Sequence, residues 1–81
     1  MNTSNTEKTE LLDHLLSAKS REDMAHRLEQ LLTPTEYEEV IKRLQIFKML
    51  EDGLPQRKIA EQLGVGIATV SRGARALKNE L

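Results

Sequence analysis

The most constraining feature of this 81-residue chain is a stretch near its C-terminus, residues 56–75, whose pattern suits two short helices joined by a tight turn. Ala60 is the fifth residue of that stretch and Gly64 is the ninth. A steep crossing of two short helices requires a small residue, which Ala60 supplies, and the turn requires a residue that tolerates a positive φ, which Gly64 supplies. The stretch therefore predicts a helix-turn-helix.

Apolar side chains in the same stretch are expected to pack its two helices against each other and against the preceding helices. They are Ile59, Leu63, Val65, Ile67 and Val70. The next position in this pattern usually holds a bulky aliphatic residue, but here it is Gly73. Such a glycine fits either a close contact between helices or a space kept for a small ligand, and the residue alone favours the close contact.

Helix start and stop signals predict three helices before this motif. The first begins at Thr6, and the second follows a capping box in which Ser20 pairs with Asp23 in place of a glutamate. The third follows a stronger signal at residues 33–36 (Thr-Pro-Thr-Glu), with proline at the first helical position, and ends near Gly53. The chain has no strand pattern, so the sequence predicts an all-α fold of about five helices ending in the helix-turn-helix.

The apolar side chains of the first helices are more numerous than a bundle this small can cover. They are Leu11, Leu12, Leu15, Leu16, Met24, Leu28, Leu31 and Leu32. The chain has no cysteine for a disulfide and only two aromatic residues, Tyr37 and Phe47, so a second copy is expected to complete its core. We predict a disordered tail at residues 1–5, a helical dimerisation core at residues 6–53 and a reading head at residues 54–81.

The two parts of the chain carry opposite charge. Residues 1–53 hold seven basic and eleven acidic side chains, a balance of −4, whereas residues 54–81 hold five basic and two acidic ones, a balance of +3. On charge alone, a solvated helix face and a polyanion partner fit equally well. The second helix of the motif adds a polar outer face suited to the major groove of double-stranded DNA. That face comprises Thr69, Ser71, Arg72 and Arg75.

Other classes of function have little support in the sequence. His14 and His26 lack the neighbouring ligands of a metal site, and no nucleophile stands beside a base, so we expect neither a metal site nor an enzyme. The first-turn acidic residues Glu36, Glu38 and Glu39 are expected to stabilise their helix. No apolar run approaches the length of a membrane span, and the polar residues 1–6 lack the apolar core of a signal peptide, so we predict a cytoplasmic protein.

The string from Gly64 to Gly73 (GVGIATVSRG), followed by Leu77 and Lys78, closely resembles the reading head of the Trp repressor family. The resemblance extends back to Leu31 and covers more than half of the chain. It implies an intertwined homodimeric transcriptional repressor in which L-tryptophan, the corepressor, sits between the reading head and the dimer core. Two arginines flank the indole ring, and one of them meets the ligand carboxylate.

The resemblance also implies site residues. Those matching the ligand pocket are Leu32, Thr33, Arg43, Thr69, Arg72, Gly73 and Ala76, the last replacing a serine that helps to hold the ligand amine. Those matching the DNA contacts are Gln56, Arg57, Ile67, Ala68, Thr69, Ser71, Arg75 and Lys78, to which the outer face of the helix adds Arg72.

Two alternatives to a ligand-controlled repressor stay open. One is a helix-turn-helix regulator without an effector, and the other is a helical adaptor that binds proteins. The repressor and the regulator without an effector both bind DNA. A steep fall of DNA affinity with salt would therefore separate them from the adaptor. In a regulator without an effector, replacing Gly73 by leucine is expected to be tolerated or stabilising.

Overall fold

The computed structural model describes residues 4–78, and within that range the chain is helical without strands. The all-α fold of five helices predicted from the sequence is confirmed. The helices are α1 (Asn5–Leu16), α2 (Arg21–Leu31), α3 (Pro34–Glu51), α4 (Gln56–Leu63) and α5 (Ile67–Lys78).

The chain divides into two units between Tyr37 and Glu38, inside α3. The functional boundary predicted from the sequence lies later, between residues 53 and 54. The units divide earlier because Ile46, Met49 and Leu50 on the C-terminal half of α3 belong to the same apolar cluster as α4 and α5. The reading head thus includes part of the long helix.

The first unit begins with a complete capping box. Ser4 precedes α1, its hydroxyl accepts a hydrogen bond from the Glu7 backbone, and the Glu7 carboxylate accepts one from the Ser4 backbone. This bond from the Ser4 backbone lowers the pKa of Glu7. The helix therefore starts at Asn5, before the predicted Thr6, and the predicted tail is wrong at residues 4 and 5. Its remaining residues, 1–3, lie outside the described range.

One arginine links the end of α1 to the start of α2. Arg27 pairs with Asp23 at 3.2 Å and donates to the His14 carbonyl and to the Ser17 hydroxyl, the latter at 2.7 Å. Ser20 caps α2 as predicted, by accepting from the Asp23 backbone. The Asp23 carboxylate, however, accepts from the Lys19 backbone rather than from Ser20, and this bond and Arg27 lower the pKa of Asp23.

None of the side chains described in the first unit is buried. Leu12 and Leu16 are 57% and 80% exposed, and Leu11 and Leu31 are about half exposed. Caps and the Arg27 contacts therefore define these helices locally, without a core of their own.

Both ends of α3 follow the sequence signals. The Thr33 hydroxyl accepts from the Glu36 backbone at 3.1 Å, and the Glu36 carboxylate accepts from the Thr33 backbone at 2.8 Å, so the predicted capping box is confirmed. At the other end, Gly53 adopts a φ of 87°. This left-handed residue lets the Leu54 amide reach back to the Met49 carbonyl, which closes the helix.

The second unit contains the predicted helix-turn-helix around a small core. Ile46, Ile59 and Val70 are at most 1% exposed, and Leu63 and Val65 pack against them. Gly64 ends α4 with a φ of 68°, and the half-buried Ala60 accepts a bond from the Val65 amide across the turn. The prediction was wrong for Ile67, which is 50% exposed because the first turn of α5 points it away from the core.

Candidate nucleic-acid interface and ligand pocket

Helix α5 presents different chemistry on different faces. Val70 and Gly73 are buried on the face toward the core. Ala68, Arg72 and Arg75 are exposed and fall four and three residues apart, so they share the opposite face. A small side chain beside two guanidinium groups allows the helix to approach a groove closely and supplies donors for phosphates and guanine edges.

A hydrogen bond joins the polar surfaces of α4 and α5. The Ser71 hydroxyl donates to the side-chain oxygen of Gln56 at 2.8 Å, which leaves the amide NH₂ of Gln56 available as a donor. Arg57 on α4 and Lys78 at the end of α5 are exposed. The structure thus brings most of the predicted DNA-contacting residues onto the exposed surface of one helix-turn-helix.

A pocket of about 260 Å³ lies between α3 and α5 within the second unit. Its lining comprises Glu39, Lys42, Arg43, Ile46, Thr69 and Arg72. The Arg72 guanidinium donates to the Thr69 hydroxyl at 3.3 Å, so these two side chains share one edge of the pocket. Three residues predicted for the ligand site, Arg43, Thr69 and Arg72, therefore meet here.

Gly73 does not line this pocket. A Cβ atom at position 73 would lie 2.8 Å from Cγ2 of Ile46, so the side chain of Ile46 already fills the space beside the glycine. The glycine marks the close contact between helices that the residue alone favoured. The same contact argues against the expectation that Gly73→Leu is tolerated in a regulator without an effector, because Ile46 is itself buried.

The lining does not include three other residues predicted for the ligand site. Ala76 is exposed on α5 and is absent from the pocket lining. Leu32 ends α2 and Thr33 caps α3, and both belong to the first unit.

Sequence reasoning missed Glu39, Lys42 and Ile46 as pocket residues. Lys42, Arg43 and Ile46 follow Glu39 by three, four and seven residues. These four residues therefore occupy one face of α3. That spacing was available in the sequence. Without the position of α5, however, nothing distinguished this face from any other solvated charged face.

A helix-turn-helix with a basic and sterically open second helix defines the class: this is a DNA-binding protein. The chain matches the family described as Trp repressor protein over residues 6–80, and it belongs to that family. It is accordingly a DNA-binding transcriptional repressor and not an enzyme.

Relatives of the chain carry matching descriptions. It is 39% identical over 75 residues to the Trp operon repressor homolog of Vibrio cholerae serotype O1, covering 91% of this chain and 73% of that relative. It is 41% identical over 76 residues to the homolog of Photobacterium profundum, covering 93% of this chain and 74% of that relative. It is 42% identical over 67 residues to the homolog of Aliivibrio fischeri, covering 79% of this chain and 62% of that relative. No solved structure matches the chain.

None of the helices in residues 4–78 combines the length and apolar character needed to cross a membrane. The same residues contain no group of three or more histidine, aspartate and glutamate side chains placed to hold a metal ion.

Proposed function

We propose that this repressor is a homodimer whose DNA affinity is controlled by a small amino acid, with L-tryptophan as the first candidate. The observation that carries the proposal is the pocket beside the reading helix, which two arginines from different helices line together. A repressor acting on a bacterial chromosome, as its relatives' organisms imply, would work in the cytoplasm.

The chemistry of the pocket supports a ligand with a carboxylate and a flat ring. Guanidinium groups bind carboxylates through paired hydrogen bonds and stack on aromatic faces, and Arg43 and Arg72 supply two of them. Pockets for drug-sized ligands measure roughly 300–1,000 Å³. At about 260 Å³ this pocket suits a ligand the size of one amino acid.

The position of the pocket supports a link between ligand and DNA. Helix α5 contributes Thr69 and Arg72 to the pocket and Ala68 and Arg75 to the exposed face. A ligand held between α3 and α5 therefore contacts the element that enters the groove. Such a ligand promotes DNA binding to the extent that it binds the competent orientation of α5 more tightly than other orientations.

Exposed apolar side chains support the homodimer. Val40, Ile41 and Leu44 are each about half exposed on α3, on the side away from the pocket residues. Leu11, Leu12, Leu16 and Leu31 add to them in the first unit. In a two-fold dimer, two reading heads placed roughly 34 Å apart would reach successive major grooves.

Titration with duplex DNA at several salt concentrations tests the DNA contacts of the proposal. Phosphate contacts release counterions, so the affinity is expected to fall steeply with salt, and Arg75→Ala is expected to reduce that slope. Arg21→Ala, on an exposed part of α2, is the matched control and should leave the slope unchanged. A DNA affinity that does not change with salt concentration would favour the protein-binding adaptor instead.

Titration of L-tryptophan, followed by the ligand's own fluorescence anisotropy, tests the effector. The chain contains no tryptophan, so the protein adds little background. We expect saturable binding of one ligand per chain that is lost in Arg43→Ala and Arg72→Ala and kept in Arg21→Ala. No binding at millimolar ligand would contradict control by tryptophan, and would favour a regulator without an effector or with another ligand.

A further inference from the structure

The pocket contains one negatively charged side chain among three positively charged ones. Glu39, Lys42, Arg43 and Arg72 all line it, which gives a formal balance of +2. We propose that Glu39 binds the ammonium group of the ligand and thereby restricts the pocket to ligands with a free amine. This inference rests on the proposed ligand-binding function and identifies which chemical class the pocket selects.

Glu39 is available for this role. It lies on the same face of α3 as Arg43, four residues away, and its side chain is exposed. In the described part of the chain no ion pair joins it to Lys42 or Arg43. Glu36, by contrast, is engaged in capping α3, so Glu36 and Glu39 have different surroundings.

The charge around the pocket explains why an amine needs Glu39. An α-amino acid carries a carboxylate, which the arginines can bind, and an ammonium group a few ångströms away. Without Glu39 that ammonium group would face three cations and would be repelled. With Glu39 it gains a charge-assisted hydrogen bond to a carboxylate oxygen.

The proposal predicts how the pocket ranks two indole ligands. L-Tryptophan and indole-3-propionate share the ring and the carboxylate, but only the first carries the ammonium group. The wild-type chain is expected to prefer L-tryptophan. Indole-3-propionate lacks the ammonium group, so it leaves Glu39 desolvated beside it without a partner, which weakens its binding.

The experiment measures both ligands by fluorescence anisotropy on wild type, Glu39→Gln and Glu38→Gln. Glu39→Gln is nearly isosteric and is expected to weaken L-tryptophan roughly three- to tenfold, the range for a charged contact in a partly solvated pocket. It is expected to leave indole-3-propionate unchanged or bound more tightly. Glu38→Gln removes a neighbouring exposed carboxylate outside the pocket and should alter neither affinity.

Each outcome has a separate meaning. The role of Glu39 is overturned if the wild-type chain binds both ligands equally well. It is also overturned if Glu39→Gln leaves the ratio of the two affinities unchanged. In either case the pocket still binds indole acids. A wild-type chain that binds neither ligand overturns the proposed function, and with it the role of Glu39.

Discussion

The two units of the chain reach their structures by different means. In the second unit Ile46, Ile59 and Val70 are at most 1% exposed, whereas none of the side chains described in the first unit is buried. Each fully buried aliphatic side chain stabilises a fold by roughly 1.5–3 kcal/mol. The reading head therefore has a core of its own, whereas the first helices depend within this chain on caps and on Arg27.

The contrast has a functional meaning under the proposed dimer. A reading head that packs by itself keeps its DNA-facing residues in register whatever its partner does. Helices without a core are free to adapt to a second chain, and association then stabilises them by mass action.

The largest predicted effect is a loss of stability when a buried aliphatic side chain of the second unit is shortened to alanine. The comparison is a side chain of similar size in the first unit. Ile59→Ala is expected to lower the free energy of unfolding by about 2–5 kcal/mol, because the buried side chain leaves a cavity. Leu12→Ala removes a side chain that is 57% exposed in the single chain. It is expected to weaken self-association rather than the reading head. Chemical denaturation at several protein concentrations, with ultracentrifugation, measures both effects.

The concentration series provides the internal check on that comparison. If Leu12→Ala destabilised a dilute monomer as strongly as Ile59→Ala does, the first helices would have a core within one chain. A folded protein that stays strictly monomeric at all concentrations would contradict the dimer.

The next effect concerns the contact between Gly73 and Ile46. Gly73→Leu is expected to destabilise the second unit by about 2–3 kcal/mol, because a side chain at this position overlaps Cγ2 of Ile46. Helix propensity acts in the other direction by only about 1 kcal/mol, so the overlap prevails. Thermal unfolding of the variant measures the net change.

Two companion variants separate overlap from other causes. Gly66→Ser places a side chain in open space at the start of α5 and should be close to neutral. Ile46→Leu removes the Cγ2 methyl group, so it should offset part of the cost of Gly73→Ala in a double-mutant cycle. Strict additivity of those two changes would argue against the direct contact.

A smaller effect is expected from the cap at the start of α3, near the division between the units. Thr33→Ala removes the hydroxyl that accepts from the Glu36 backbone, and we expect a loss of about 1 kcal/mol. Thr35→Ala is the control, because Thr35 lies two residues further along the chain and does not make this capping bond. Amide hydrogen exchange in the first turn of α3 reports the change. Equal protection in the two variants would mean that the cap contributes nothing measurable.

The smallest effect is a pH dependence confined to the first unit. The Lys19 backbone and Arg27 hold the pKa of Asp23 below its ordinary value. Its contribution to stability is therefore complete above the ordinary carboxyl pKa, and is lost as the pH falls through the lowered value. NMR titration should show acid loosening of the α1–α2 link at Asp23, but not in Asp23→Asn. Asp13→Asn, elsewhere on α1, should retain that loosening.

The same contrast explains which predictions from sequence were confirmed. The cap at Thr33, the end of α3 near Gly53 and the turn at Gly64 involve residues within a few positions of one another, so local hydrogen bonding and the φ preference of glycine determine them. The start of α1 was placed late because the polar residue Ser4 was assigned to a tail. It is instead the first half of a capping box.

Predictions failed where a residue's surroundings come from a distant part of the chain. Ile67 fits an apolar pattern, yet half of it is exposed, since only the crossing of α4 and α5 decides which way the first turn of α5 faces. Gly73 was ambiguous until Ile46, on another helix, was seen to fill the space beside it.

Neighbouring residues and one characteristic string were enough to predict the helices, the caps at Ser20 and Thr33, the helix-turn-helix and the family. Packing between distant residues was needed to show that Glu39 and Lys42 share a pocket with Arg72, that Ala76 is absent from its lining, and that the core of the reading head includes part of α3. The physical reason is that a helical pattern specifies which residues share a face, whereas packing between helices specifies what that face meets.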